Sequence, residues 1–205
     1  MASLGRSGVR HDGAMRHLAT AELEAGLDDV RAAPADHGRV ELLVRRPAVD
    51  ARETPAEVRL DMVEGVVGDN WRVRGSSRSA DGSPNPEAQV TVMSARVAKL
   101  VSGGKDDRRQ LAGDQIFADL DLSHENLPPG TRLRIGSAII EISAHPHTGC
   151  DKFMARFGKD AVRFVNSRVG RELRLRGMNC KIVSAGVIRV GDIITKEAIG
   201  DDQHD

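Results

Sequence analysis

The chain has 205 residues, of which 30 are basic and 30 acidic, so its formal net charge at pH 7 is zero and its length favours one domain with tails. This balance gives no reason to expect nucleic acid or an anionic membrane surface as a partner, and the 2% of aromatic residues argues against base-stacking modules. No apolar run approaches the roughly eighteen residues of a membrane span, and the basic N-terminus lacks the apolar core of a secretory signal, so a cytoplasmic protein is expected.

The first predicted element is a short helix that follows a polar N-terminal arm. Residues 1–16 are rich in Gly, Ser, Arg and His, which favours a mobile arm. Beyond Thr20, apolar residues recur at helical spacing, and Pro34 ends the pattern. We assign the arm and this helix to residues 1–37, a domain to residues 38–197, and a polar tail to residues 198–205.

The domain is predicted to consist mainly of short strands. They are placed at residues 40–44, 57–60, 89–93 and 116–122 and in two hairpins, over 132–143 and 178–190. Helices are predicted over 95–101 and 152–166, with Gly158 as a break or cap. Because strands and helices do not alternate, the pattern indicates a strand-dominated α+β domain, with a β-barrel as the expected architecture. The polar segment 74–86 is interpreted either as a lid or as a disordered loop.

Several short motifs then occur in a recognisable order. They are Gly65-Val66-Val67-Gly68-Asp69-Asn70-Trp71, His124-Glu125-Asn126-Leu127, Leu133–Ile142, His145-Pro146-His147-Thr148-Gly149-Cys150, Arg176-Gly177 and Gly186–Asp192. This order, with one cysteine after a strand and before a helix, resembles the MOSC family, which is named for the C-terminal domain of molybdenum-cofactor sulfurases. The resemblance spans roughly residues 38–196.

The resemblance implies a MOSC-type β-barrel with a few peripheral helices and a cysteine that either ligates molybdenum or carries sulfur. It assigns this catalytic role to Cys150 and makes the molybdenum cofactor the expected cofactor. Family enzymes reduce N-hydroxylated bases and amidoximes, and other members act in cofactor sulfuration. This chain departs from the family pattern at His124, where a glycine is expected, and at Asn70 and Trp71, where an Arg or Lys followed by a His is expected.

Two accessory parts found in some relatives are absent from this sequence. We expect no pyridoxal phosphate site, because the chain is too short to hold a cysteine desulfurase domain beside the barrel. There is also no cysteine set for an iron–sulfur cluster, since the chain has two cysteines in all. The resemblance therefore implies a separate redox or sulfur-donor protein as partner.

The chemistry around Cys150 points to function independently of the family. A thiolate is stabilised at the N-terminal end of a helix and beside cations, and His145, His147 and Lys152 are close in sequence. Two other interpretations remain: Cys150 is an inert small residue, or it forms a zinc site with the two histidines. Cys180 lies in an apolar alternation typical of a strand and is predicted to face the core.

His147 and five further residues are candidates for holding the cofactor. Asp69 and Asn70 have side chains suited to a pterin-like ring, but both residue types are also common in tight turns. Asn126 either contacts a cofactor or caps a turn. Arg174 and Arg176 are predicted to share one face of a strand, where they would bind a phosphate or simply face solvent.

Three hypotheses follow for function. The first is an enzyme or sulfur-transfer protein that uses Cys150 and the molybdenum cofactor on a small-molecule substrate. The second is a non-catalytic protein that carries the cofactor or another anion. The third is an interaction domain, in which the N-terminal helix or the loop 74–86 covers the site or builds a homodimer.

Overall fold

The structure is a computed structural model that describes residues 16–76 and 79–197. The predicted polar tail lies outside these described residues, and so does the predicted N-terminal arm except for its last residue, Arg16. Within the described ranges, no helix combines the length and apolar character that a membrane crossing requires.

The secondary structure consists mainly of short strands, with short helices around them. The strands are β1 (Gly38–Leu43), β2 (Glu57–Asp61), β3 (Gly65–Val66), β4 (Val90–Ser94), β5 (Ile116–Asp119), β6 (Arg132–Ile135), β7 (Ala138–Ile142), β8 (Met178–Ser184), β9 (Gly186–Arg189) and β10 (Ile193–Lys196). The helices are α1 (Thr20–Ala25), α2 (Leu27–Arg31), α3 (Trp71–Arg74), α4 (Ala95–Val101), α5 (Asp106–Arg109), α6 (Asp151–Phe157), α7 (Lys159–Asn166) and α8 (Arg168–Glu172). Single 3-10 turns occur at Pro86–Ala88 and Gln110–Ala112.

Seven of these strands close into a barrel. Their order around it is β1-β10-β6-β7-β8-β4-β5, and the remaining strands form a small sheet in the order β3-β2-β9. Neighbours in the barrel are antiparallel except for β4 and β5, which are parallel. The prediction of a strand-dominated barrel is therefore confirmed.

The barrel interior is filled by aliphatic side chains that alternate along the strands. In β7, for example, Ala138, Ile140 and Ile142 are buried and the residues between them are partly exposed. Cys180 belongs to this core and is fully buried. Burial raises the pKa of its thiol to about 12, so Cys180 is an inert part of the core, as the sequence predicts.

A second apolar layer lies between the barrel and the helices. It contains all four phenylalanines of the chain, namely Phe117, Phe153, Phe157 and Phe164. Phe153 and Phe157 lie on α6, with ring centroids 4.8 Å apart. This layer fixes α6, and therefore the residue that precedes it, Cys150, against the barrel.

Two local predictions agree with the structure in detail. The hairpin over 132–143 is present as β6 and β7, with Ile135 paired to Ala138 across Gly136, and the φ of Gly136 is +56°. The helical stretch over 152–166 is divided at Gly158, whose φ of +92° ends α6 and begins α7.

The second predicted hairpin, over 178–190, is wrong. Strand β8 pairs with β4 and β7 in the barrel, whereas β9 pairs with β2 in the small sheet. The chain leaves the barrel at Gly186, where a Cβ would collide with the backbone of Ser137 and Ala138. In the barrel, β8 is paired on both sides and buries Met178, Cys180 and Ile182, and the glycine permits the crossing.

The predicted strand carrying Arg174 and Arg176 is also wrong. Helix α8 ends at Glu172, and a tight turn follows in which Arg174 has a φ of +48°. The amide of Leu175 donates to the carbonyl oxygen of Gly170 at 2.8 Å, which closes the turn. Because this backbone is not extended, the two arginines do not share a face.

Gly177 ends this turn, and we expect its replacement by alanine to destabilise the fold. Its φ is +95°, and a Cβ would collide with the carbonyl oxygen of Val92 on β4. Left-handed backbone costs about 1–2 kcal/mol for an alanine, and steric crowding costs about 1–3 kcal/mol more. Gly130→Ala is the matched control, because Gly130 has a φ of +89° with open space around it. Equal free energies of unfolding for the two variants, measured in urea, would contradict the proposed collision.

Candidate functional site

A cleft with a volume of about 510 Å³ contains Cys150 in its wall. Six cationic side chains line it: Arg46, Arg52, Arg74, Lys152, Arg156 and Arg176. Among the described residues, no Asp or Glu side chain lines the cleft. The cleft therefore combines one thiol with a strongly positive wall.

Cys150 is positioned by hydrogen bonds to the loop that precedes it. It is exposed and occupies the N-cap position of α6. The amide of Gly149 donates to Oδ1 of Asn166 at 2.9 Å, and Nδ2 of Asn166 donates back to the carbonyl oxygen of Gly149 at 3.2 Å. From the barrel side, Nδ2 of Asn179 donates to the carbonyl oxygen of His145 at 3.1 Å. The loop is thus fixed at both ends, which holds the thiol at the cleft.

A buried carboxylate organises one wall of the cleft. Asp114 is fully buried, and its two oxygens contact Nη1 of Arg176 at 2.6 Å and Nε2 of His147 at 2.9 Å. Burial by itself would raise the pKa of Asp114, but Arg176 and His147 outweigh it and lower the value to about 2. Asp114 is therefore ionised at neutral pH and compensates the charge of Arg176, whose guanidinium lies 5.0 Å from the centroid of the Phe153 ring.

His147 is neutral in this arrangement. Burial and the nearby Arg176 lower its pKa, although Asp114 acts in the opposite direction. A neutral imidazole that contacts a carboxylate through Nε2 carries its proton there and donates it. Nδ1 is then the acceptor atom of the ring, in a residue that lines the same cleft as Cys150.

A second buried ion pair fixes Arg46 in the opposite wall. Asp69 binds Arg46 through both oxygens, at 2.8 Å to Nε and 2.9 Å to Nη2, and also accepts from the amides of Arg46 and Trp71. Nη1 of Arg46 donates to the carbonyl oxygen of Gly113 at 2.7 Å. These contacts commit the carboxylate of Asp69 to the protein, and they orient an arginine that the sequence analysis did not single out.

Arg156 pairs with Asp50 at 3.3 Å, whereas Arg52, Arg74 and Lys152 form no ion pair with a carboxylate of the described residues. Arg52 is half-buried, and its pKa is lowered by burial and by repulsion from Arg156 and Arg46. The Nε atoms of Arg52 and Arg176 are buried without a hydrogen-bond partner among the described residues. Such crowding of positive charge is relieved by an anion, which would also satisfy the unpaired donors.

The predicted site residues are divided between different places in the fold. Cys150, His147 and Arg176 lie together in the cleft. Arg174 does not line it and borders a smaller neighbouring cavity. Asn126 is also outside the cleft, because its side chain contacts the carbonyl oxygens of Ala35 and Asp121 and Nζ of Lys196.

Asn70 lies beside the cleft at the N-terminal end of α3. Its amide donates to the carbonyl oxygen of Arg46 at 2.9 Å, and its buried Oδ1 has no partner among the described residues. The described part of the segment 74–86 borders the cleft through Arg74, Gly75, Ser76 and Asn85. Its role as a lid stays a prediction.

Sequence reasoning missed Asp114 and four of the six cations, namely Arg46, Arg52, Arg74 and Arg156. They come from separate loops and helix ends, so no local spacing connects them. Among the described residues, no group of three or more His, Cys, Asp or Glu side chains is placed to hold a metal ion. The zinc arrangement of His145, His147 and Cys150 is therefore not assembled, and Nε2 of His147 is engaged with Asp114.

The neutral state of His147 predicts that the fold is less stable at pH 5 than at pH 7. Because its folded pKa lies below the ordinary value of 6.5, the unfolded chain binds a proton more readily, and stability is lost as the pH falls through that value. We expect His147→Gln to reduce this pH dependence. Urea unfolding of the wild-type protein and of His147→Gln at both pH values tests this, and identical pH dependence in the two proteins would contradict it.

Comparison with known proteins identifies a matching protein family and solved structures that share the fold. The family model of the MOSC domain matches residues 86–195. A crystal structure of the YUAD protein from Bacillus subtilis is 15% identical and superposes with a TM-score of 0.58, covering 77% of this chain and 93% of that one. YiiM from Escherichia coli is 15% identical with a TM-score of 0.51, over 78% of this chain and 70% of that chain.

A further solved structure, of a hypothetical protein, is 17% identical with a TM-score of 0.53, over 78% of this chain and 69% of that chain. At these identities the structures establish a shared fold. No curated protein matches the sequence significantly.

Proposed function

Because the chain belongs to the MOSC domain family, whose members are associated with the molybdenum cofactor, we propose that its arginine-rich cleft binds this cofactor with Cys150 at the metal. The observation that carries the proposal is a single exposed thiol in a cleft lined by six cations and no carboxylate of the described residues. A soft thiolate can ligate a high-valent metal or carry a transferable sulfur, and arginine side chains bind phosphate through two hydrogen bonds at a time.

The residues present fit such a group. The cofactor carries a phosphate, and buried guanidinium donors without partners border the cleft at Arg52 and Arg176. The volume of about 510 Å³ falls within the range of about 300–1,000 Å³ that is usual for small-molecule sites. Arg46 is held by Asp69, and Arg176 by Asp114, so the anion-binding side chains are ordered before a ligand arrives.

Each residue would have a definite task. Cys150 would supply the thiolate, and the arginines would hold the phosphate. His147 would present Nδ1 as an acceptor, because its Nε2–H donates a hydrogen bond to the carboxylate of Asp114. When bound, the cofactor supplies two-electron redox chemistry.

The reaction we propose for the loaded protein is reduction of an N-hydroxylated substrate. The N–O bond breaks, two electrons and two protons are consumed, and an amine and water leave. The electrons would come from a separate redox protein, since the chain has two cysteines and one of them, Cys180, is buried in the barrel core.

The test is to express the protein in cofactor-competent and cofactor-deficient cells and to measure molybdenum and pterin in the purified protein. We expect about one molybdenum per chain from competent cells and none from deficient cells. The loaded protein is then assayed with reduced viologen as electron donor and an N-hydroxylated base as substrate. Absence of molybdenum and pterin from both preparations would exclude the proposal.

A second candidate, a cofactor or sulfur carrier without turnover, is favoured by the exposure of Cys150. In a sulfur transfer, the Cys150 thiolate would attack the outer sulfur of a donor persulfide, forming a Cys150 persulfide and releasing the donor as a thiol. Retention of molybdenum, or of a persulfide detected by mass spectrometry, without reduction of the substrate would support this second candidate over the reductase.

A further inference from the structure

A smaller cavity of about 130 Å³ lies beside the cleft, behind the loop that carries His145 and His147. Its cationic and imidazole lining consists of His124, His145, His147, Arg171, Arg174 and Arg176. Among the described residues, no Asp or Glu lines it. We infer that this cavity, which shares part of its wall with the cleft, is a second binding site for a small tetrahedral oxyanion such as sulfate or phosphate.

The first argument is the unpaired charge of Arg174. This residue is only 7% exposed, yet no carboxylate in the described ranges forms an ion pair with it, unlike the buried Arg46 and Arg176. Its guanidinium donates instead to the carbonyl oxygens of Leu122 and Leu127. A buried cation without a counter-charge is costly, and an anion in the adjoining cavity would compensate it.

The second argument is the protonation pattern of His124. Nη2 of Arg174 lies 3.0 Å from Nδ1 of His124, and since a guanidinium can only donate, Nδ1 must be the acceptor. Burial and the charge of Arg174 lower the pKa of His124. The ring is therefore neutral with its proton on Nε2, which makes it a hydrogen-bond donor in the lining of the cavity.

The third argument is the donor capacity of the rest of the lining. Arg176 borders this cavity as well as the cleft, and its buried Nε has no partner in the part of the chain that the structure describes. Nη1 of Arg171 donates a hydrogen bond to the carbonyl oxygen of Asn166, and the guanidinium has other N–H groups that can donate to an anion. A water molecule occupies about 30 Å³ of liquid, so the cavity has room for an ion of five heavy atoms.

The inference predicts a site that depends on residues lining only the small cavity and that is unaffected by variants of residues lining only the cleft. Binding of sulfate and phosphate is measured by isothermal titration calorimetry on the full chain, with sodium chloride adjusted to keep the ionic strength constant. We expect His124→Phe and Arg171→Gln each to weaken binding roughly tenfold, since a hydrogen bond to a charged group is worth about that factor. Arg174→Gln is expected to have a larger effect if it folds, which circular dichroism checks.

Arg74→Gln is the control, because Arg74 lines the cleft and not the small cavity. The only tryptophan of the chain, Trp71, also borders the cleft alone, so sulfate binding should leave its fluorescence unchanged. A phosphomonoester titrated in parallel distinguishes an esterified phosphate from the free ion as the ligand. If the ester binds and the His124, Arg171 and Arg174 variants weaken its binding, the site takes an esterified phosphate. If the ester does not bind, the site takes the free ion. Absence of oxyanion binding, or binding that only Arg74→Gln weakens, would overturn the inference.

Discussion

Replacing Cys150 with serine is expected to reduce the molybdenum content of protein from cofactor-competent cells more than tenfold and to abolish persulfide formation. A serine hydroxyl is neither a soft metal ligand nor a sulfur nucleophile, and the substitution changes one exposed atom. The free energy of unfolding should change by less than about 0.5 kcal/mol, as is usual for surface positions. Molybdenum is measured by mass spectrometry of the purified protein.

Cys180→Ala provides the matched control. Cys180 is fully buried, and its pKa is raised to about 12 by burial, so its loss should leave the molybdenum content unchanged. Iodoacetamide should add one label to the native wild-type chain and none to Cys150→Ser. If Cys150→Ser retains the wild-type amount of molybdenum, the thiol is not the ligand, and the proposed role of Cys150 is wrong.

Replacing Asp114 with asparagine is expected to destabilise the protein by about 3–5 kcal/mol, because removing one member of a buried ion pair leaves the other charge uncompensated. Asp114 is the only carboxylate of the described residues that contacts Arg176, at 2.6 Å, and it also accepts from His147. The carbonyl oxygen of an asparagine would keep one hydrogen bond but not the charge. Urea unfolding at pH 7 gives the free energy.

Asp119→Asn is the control for this prediction. Asp119 pairs with Arg96 at 2.6 Å, but both side chains are about one quarter exposed, so its replacement should cost less than about 1 kcal/mol. Similar losses of stability for Asp114→Asn and Asp119→Asn would show that burial does not determine how much the Asp114–Arg176 ion pair contributes to the free energy of unfolding.

The fold class follows from local patterns in the sequence. Alternating apolar residues predict strands such as β6 and β7, Gly136 predicts the turn between them, and Gly158 predicts the break between α6 and α7. Each of these signals depends on residues close together in the chain. Strand pairing between distant segments gives no such signal, and for this reason the crossing at Gly186 was predicted as a hairpin.

The site was only partly predictable for the same reason. Cys150 was recognisable because the motif around it is continuous in sequence. The cleft itself combines Arg46, which follows β1, with Arg156 of α6 and Arg176 before β8. These residues become neighbours only when the barrel closes.

The sequence by itself determined the barrel, the inert position of Cys180 and the placement of Cys150 between a strand and a helix, because alternation and glycine conformation act over a few residues. Only the tertiary structure decided which charges meet. It buried Asp114 between Arg176 and His147, and of the two predicted phosphate-binding arginines it placed only Arg176 in the lining of the cleft, whereas both line the smaller cavity. Electrostatic pairing depends on distance and burial in space, and neither is encoded in the spacing of residues along the chain.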